Sequence, residues 1–527
     1  MKRSNNEKGT ALVFAMIFVL VLSIMAVSLT FLSQSETWSS LNYRLMTQAR
    51  YGAETGIHSA ANYIINKYTS PSAVNAADPI TAYSTTVRPV TANGKPVVLG
   101  AAFNGLSANY PISSIASDFS NKVQGSVTAG NNTLNYSASA QLLSMRQINE
   151  CGVSGTAQTW LLTSRGDVSA VRNAEVEVSA ILEQQVAPCY NYAAFATANG
   201  CSAINFTGNG VVKSYDSSGV TGFGTSGVSV TPDAYDGNLG ANGNLNTANN
   251  TVVSGTFSSP RTGVGSCAVG APDALSGGGT VTGCETSGQT NCGASCTSNC
   301  AAKVLTLSQQ VQYNPPTTDY PTCSGATAAT CDAAILTAMP PANKNPSGTI
   351  NPGNYGDISL SGNSTITLNP STAGGTCSTG VYYFESISKM TGNASLSVAP
   401  CPGTNPPVYQ PVIINIVGVD GSGNQVNPVI NLAGNGLSNL SMDASIMQIQ
   451  YGGTGAVNLV GNGTGAAVLF APKAPVSLSG NGAWYGSLIG KSVSSNGNGG
   501  LFYDRRLSNE LFIVTNWTLD SFTWSKF

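Results

Sequence analysis

The stretch Ala11-Leu-Val-Phe-Ala-Met-Ile-Phe-Val-Leu-Val-Leu-Ser-Ile-Met-Ala-Val-Ser-Leu-Thr-Phe-Leu32 holds 22 residues and no charge. At 1.5 Å per residue a helix over it is about 33 Å long, enough for one bilayer crossing. Lys2, Arg3 and Lys8 precede it, and Glu36 is the first charge after it. The positive-inside rule therefore keeps the leader, residues 1–9, in the cytoplasm and exports the remainder. A cleaved secretory signal would have a shorter apolar core and a small-residue cleavage site. Here no proline interrupts Ser33 to Tyr68, and Trp38, Leu41, Leu45, Ala49, Ala53, Ile57, Ala60, Ala61, Ile64 and Ile65 recur at helical spacing. The reading is one helix over residues 10–68, about 90 Å long, with a transmembrane half at 11–32 and an outer half that packs on a globular domain.

Two motifs ride on this helix. Lys8-Gly9 stands before Thr10-Ala-Leu-Val-Phe14, and Gln48-Ala-Arg-Tyr-Gly-Ala-Glu-Thr-Gly-Ile57 follows some forty residues later. The first resembles a prepilin peptidase site, where the leader is cut after glycine and the new terminus, here Thr10, is methylated. The second resembles the alanine-rich segment of PilX-type minor pilins, with Ala53, Glu54 and Gly56 at its motif positions. The resemblance covers about the first 60 residues and implies a type IV pilus component. Its partners would be other minor and major pilins, prepilin peptidase and a large tip adhesin. The chain would sit in the bacterial inner membrane and then at the pilus and cell surface. Major pilins carry glutamate at the fifth mature position, where this chain has Phe14. A carboxylate in hydrocarbon needs a partner, and the family pairs it with a neighbour's N-terminal amine. Its absence implies a place at the filament tip or in the initiating complex. Thr10 also departs from the usual Phe or Met. The competing reading is a plain signal anchor bearing a surface or periplasmic adhesin that never enters a filament.

Composition narrows the function. Charged residues make up 9% of the 527 and the net charge is −2, so no basic stripe exists for nucleic acid. The one histidine, His58, lies on the helix and reads as a packing or surface residue. Twelve cysteines lie beyond the helix: Cys151, Cys189, Cys201, Cys267, Cys284, Cys292, Cys296, Cys300, Cys323, Cys331, Cys377 and Cys401. Behind an export segment they read as disulfides of open pairing. Cys292, Cys296 and Cys300 have a spacing that zinc would accept, but no histidine completes the set.

Residues 69–189 read as an α+β region. A loop-rich stretch runs to about Asn132, followed by strands at Thr133 to Leu143, Thr159 to Thr163 and Ala174 to Val186, the last lining one face with Val176, Val178, Ala180 and Leu182. Arg165-Gly166-Asp167 has the letters of an adhesion tripeptide, although Gly-Asp between strands is also ordinary hairpin chemistry.

Over 190–527 a short motif returns: Ile204-Asn-Phe-Thr-Gly-Asn209, Ile358-Ser-Leu-Ser-Gly-Asn363, Ile430-Asn-Leu-Ala-Gly-Asn435, Val457-Asn-Leu-Val-Gly-Asn462 and Val476-Ser-Leu-Ser-Gly-Asn481, with a looser Ser388-Lys-Met-Thr-Gly-Asn393. Period-two strands ending in Gly-Asn suggest a β-helix, with an antiparallel sandwich as the alternative. This half resembles the Gly-Asn-repeat β region found behind the pilin-like helix in some large bacterial PilX-like proteins. Between the first copies, about 222–351, lies a stretch with seven of the cysteines, read as a disulfide-pinned insertion without its own apolar core. Seven is odd, so one bridge or thiol must reach outside it.

The expected fold class is α+β then all-β: a long pilin-like helix with a small antiparallel sheet, then a β-helix or solenoid-like domain with a disulfide-rich insertion. The expected function is non-enzymatic, without cofactor or metal. Acids are sparse along the repeats, Asp420-Gly-Ser-Gly-Asn424 lacks the later residues of a calcium loop, and no phosphate-binding loop occurs.

Overall fold

The computed structural model describes residues 7–71, 77–100, 107–129, 132–151, 153–169, 173–219, 230–248, 250–267, 273–285, 303–318, 348–371, 377–420, 422–460 and 465–526. The chain divides into two compact units. One comprises Met1–Gln147, Gly155–Val186 and Val514–Phe527, the other Ile148–Ser154 and Ala187–Ile513.

The first unit is built on a 60-residue helix, Glu7–Asn66, the unbroken rod that its proline-free sequence requires. Its sheet runs in the order Val98–Gly100, Asn132–Glu150, Val153–Ser169, Ala174–Pro188, Phe512–Lys526, with Gln124–Ala129 hydrogen-bonded to Asn132–Glu150. Val176, Val178, Ala180 and Leu182 are buried, as their alternation predicts, and share a core with Leu45, Ala49, Ala53, Ile57, Ala60, Ala61 and Ile64 of the helix. Trp38 and Ile65 fall off that face and are exposed. After the helix, buried Asp78 accepts hydrogen bonds from Tyr83 (2.7 Å) and Tyr110 (2.6 Å). Burial holds the Tyr110 hydroxyl well above its ordinary pKa, so it stays a donor.

The last strand is a correction. The sequence reading carried the second region through Phe527, whereas Phe512–Lys526 is the final strand of the first unit's sheet. The second unit is thus inserted between two strands of that sheet. Cys189 N–H donates to Leu511 O (2.8 Å), so its entry and exit lie side by side.

The second unit consists of parallel ladders. In the first, Gly353–Tyr355, Gly380–Phe384, Val412–Ile416, Met447–Tyr451, Ala466–Gly480 and Ala483–Gly497 pair in succession. The next strand is not later in sequence: Ala483–Gly497 pairs with Ala194–Ala196, then follow Leu239–Ala241, Phe257–Ser259 and Val304–Thr306. A second ladder repeats this order, from Ser359–Leu360 through Ile430–Leu432 and Val457–Val460 to Ile204–Phe206 and Leu275–Gly277. The chain therefore builds one end of the stack first, returns, and builds the other end towards its own beginning. Residues 307–318 run back along it. Val311 exchanges hydrogen bonds with Asn242 (2.7 and 2.8 Å), Tyr313 packs on Phe195 and Phe470, and Thr318 accepts from Gly452 N–H (3.4 Å).

The Gly-Asn copies lie in register in the second ladder: Ile430 faces Val457, which faces Val476, and Val493 faces Ile204. Gly362, Gly392, Gly434 and Gly480 take positive φ of 69°, 74°, 95° and 99°, the corner conformation that favours glycine. Asn498 donates to Asn481, Asn209 to Asn498 and Asn250 to Asn209 (3.3, 2.7 and 2.9 Å). This asparagine ladder exposes two further, degenerate copies of the motif, Val493-Ser-Ser-Asn-Gly-Asn498 and Leu245-Asn-Thr-Ala-Asn-Asn250.

The 222–351 stretch is also corrected. Leu239, Ala241, Leu245, Val253, Phe257, Ala274 and Val281 are buried in the same core as the other ladders, so much of it continues the stack. One or two apolar residues per strand suffice there, because the parallel strands paired on either side complete the core. The odd count does resolve outward, since Cys267 bridges to Cys201. Cys151 pairs with Cys189 and Cys377 with Cys401. Cys284 is disulfide-bonded as well. Cys292, Cys296, Cys300, Cys323 and Cys331 lie outside the described residues.

One buried acid gives a pH dependence. Asp504 accepts from the N–H groups of Ser217 (3.3 Å), Ala444 (3.2 Å) and Arg506 (3.2 Å). Burial pushes its carboxyl up to about 6; these hydrogen bonds oppose the shift and nearby Asp443 adds to it. The unfolded carboxyl titrates near pH 4, so the folded state favours the proton. The stability this gives is full below about pH 4 and lost as pH rises through about 6, up to about 3 kcal/mol in all. Denaturant titrations at pH 4 and 7 should show this fall in the native chain and not in Asp504→Asn; parallel behaviour would refute the assignment.

Candidate membrane and assembly segment

From Thr10 to Leu32 every position of the helix is exposed. Leu12, Phe14, Phe18, Leu22, Phe31 and Leu32 are exposed, Phe14 to 71%. Such a surface needs lipid or another protein to cover it. Two hydroxyls within it are satisfied by the helix's own backbone: Ser23 donates to Val19 O and Thr30 to Val27 O, both at 2.7 Å, which suits a water-free environment. Among the described residues one helix is long and apolar enough to cross a membrane, and its crossing window is unburied. Gly9 and Thr10 both fall within the helical span.

The outer half is seated on the sheet by glycine. Ala49 and Ala53 are fully buried, and opposite them Gly166 lies so close that a Cβ there would overlap the Ala49 carbonyl and the Ala53 nitrogen. A Cβ on Gly56 would collide with the Ser164 hydroxyl. The Ala53 and Gly56 positions therefore set how closely helix and sheet approach. Glu54 points away from this seat and pairs with Arg50 at 2.8 Å. His58 is exposed on the same helix.

Residues 8–58 match the PilX N-terminal family. This PilX-like segment includes the glycine-seated turns and the whole exposed apolar run. Among solved structures the chain is similar to the competence-associated pilin ComZ from Thermus thermophilus, at 13% identity over 92% of this chain and 98% of that one, with a TM-score of 0.23. No curated protein matches.

The remaining sequence candidates resolve into structural roles. Arg165-Gly166-Asp167 is no loop: it lies within Val153–Ser169, paired with Glu175–Glu177 of the next strand. Arg165 bonds Glu177 (2.9 Å) and Asp167 accepts from Asn135 (3.0 Å), so the adhesion reading fails. Asp420 accepts from the N–H groups of Ser422 (2.9 Å) and Asn424 (2.8 Å), a turn, and the Asn424 N–H leads in holding its carboxyl below the usual range. Burial raises the Glu385 carboxyl, with Asp357 and Asp420 adding to the shift. Asp357, however, is occupied by Ser386 (2.6 Å) and by the backbone and hydroxyl of Ser388 (2.9 and 2.5 Å). Among the described residues no group of three or more His, Cys, Asp or Glu is placed to hold a metal. The N-terminal segment is thus PilX-like and carries a candidate membrane span.

Proposed function

We propose that the chain is a minor pilin of a type IV pilus that helps prime or cap the filament and carries its large exported part to the cell surface. What carries this reading is continuity. The lipid-ready half and the PilX-like seated half are one unbroken helix, the form needed to leave a bilayer and pack in a filament core without refolding. The leader, residues 1–9, would be cut at Gly9 by prepilin peptidase, leaving Thr10 as the methylated terminus. Phe14, exposed where a shaft subunit's glutamate would pair, favours the tip or initiating complex. Partners would be other minor and major pilins and a large tip adhesin.

The parallel ladders, with in-register Gly-Asn corners, are read as faces of one β-helix, the large form of the family's exported region. The domain proposal is then leader 1–9, helix 10–68, α+β region 69–189 completed by the final strand, and a β-helix between them.

Mass spectrometry of the purified chain should find the mature protein starting at Thr10 with a methylated amine. An intact Met1 would leave the anchored adhesin as the better reading. Immunogold on sheared pili should label one end; label along the length would reject the tip.

A further inference from the structure

The described disulfides differ in how far solvent reaches them. Cys151 and Cys189 are both buried, and so is Cys401 of the Cys377–Cys401 bridge. Cys201–Cys267 lies at the surface instead: Cys201 is exposed, with open space around the neighbouring Gly200, and Cys267 is half-buried. The two sulfurs also differ in electrostatics. Arg261 Nη1–H donates to Cys267 Sγ at 3.3 Å, and its Nη2–H donates to Asn199 O, which holds the guanidinium in place against that sulfur.

Thiol–disulfide exchange is attack by a thiolate on one sulfur with departure of the other, and it depends on access to the attacked sulfur and on the ease with which the other leaves. A cation beside a sulfur favours its thiolate. Here the open sulfur and the cation-supported sulfur are different members of one bridge, so both factors select the same direction of attack. We infer that Cys201–Cys267 is a thiol-exchange site that takes an external thiolate onto Cys201. A bond forms between the incoming sulfur and Cys201 Sγ, the bond to Cys267 Sγ breaks, and its electron pair leaves with Cys267 as a thiolate beside Arg261. Attack by that thiolate on the mixed disulfide reverses the step and expels the thiol. The site thus holds a thiol-bearing partner by a reversible covalent bond.

The fold around the bridge does not hang on it. Cys201 lies between the strands Ala194–Ala196 and Ile204–Phe206, and Cys267 follows Phe257–Ser259. Ala194–Ala196 and Phe257–Ser259 both pair with Leu239–Ala241 through backbone hydrogen bonds that exchange leaves intact. The inference is independent of whether the helix enters a filament.

The test uses the full chain in detergent micelles, treated with glutathione or with a peptide bearing one cysteine, quenched with acid and mapped by mass spectrometry. Cys201–Cys267 should open about tenfold faster, or more, than Cys151–Cys189 and Cys377–Cys401, with the added thiol on Cys201 and the free thiol on Cys267. Arg261→Gln should slow this opening about fivefold, and Arg261→Lys, which keeps the charge, should recover most of the rate. Thiolation by both probes assigns the site to protein cysteines as well as small thiols; thiolation by glutathione alone assigns it to small thiols. Earlier opening of either other bridge, an added thiol on Cys267, or an Arg261→Gln rate equal to that of the native chain would each overturn the assignment. Should the variants fail to fold, the order of opening and the position of the added thiol on the native chain decide alone.

Discussion

Replacing Leu20 and Ile24 together with arginine is expected to release the chain from the membrane. The run Ala11 to Leu32 contains fourteen Leu, Ile, Val and Phe residues. On a membrane-insertion scale each contributes about −0.3 to −0.6 kcal/mol, or roughly −6 kcal/mol together, while each arginine near the centre adds about 3 kcal/mol. Two arginines one turn apart therefore cancel the insertion free energy, and both sites stand on the exposed face of the helix rather than in a core that could shelter them. Alkaline extraction of membranes should move the double variant to the soluble fraction and leave a Leu20→Ala, Ile24→Ala control embedded. A double-arginine chain that stays embedded would mean that the helix is held by something other than lipid.

The second large effect lies at the seat of the helix. Gly166→Val puts a side chain where the Ala49 carbonyl and the Ala53 nitrogen already are. Backbone cannot rotate aside as a flexible side chain can, so the helix must lift from the sheet. A cost of about 3 kcal/mol or more is expected, at the upper end of overpacking. Gly200→Val, with open space around its Cβ, should change stability by no more than about 0.5 kcal/mol. Hydrogen exchange in the stretch from Leu45 to Ile64 reports the difference. Unchanged protection there in Gly166→Val would show that the seat is looser than the packing implies.

The helix was legible because its signals are local: apolar length, flanking charge and a 3.6-residue period are all read within one segment. The PilX-like motif was legible as letters, but not its physical reason. Gly56 faces Ser164, and Gly166 faces Ala49, across more than a hundred residues of chain. The repeats were legible where Gly-Asn was kept. They were missed at Val493 to Asn498, where serine and asparagine fill the variable places, and at Leu245 to Asn250, where the glycine is gone and only the stacked asparagine remains.

By itself, then, the sequence determined the membrane-length helix, the period-two strands of the second unit and their glycine corners, all properties of a few neighbouring residues. Tertiary structure decided the rest. It placed the last strand, Phe512–Lys526, in the first unit's sheet, stacked Ala483–Gly497 on Ala194–Ala196, and drew Cys201 to Cys267. Parallel strands with similar patterns offer many equivalent partners, and strand pattern is blind to which is chosen. The choice falls to burial summed over the whole core and to the 307–318 return segment, where Tyr313 meets Phe195 and Phe470 from distant parts of the chain.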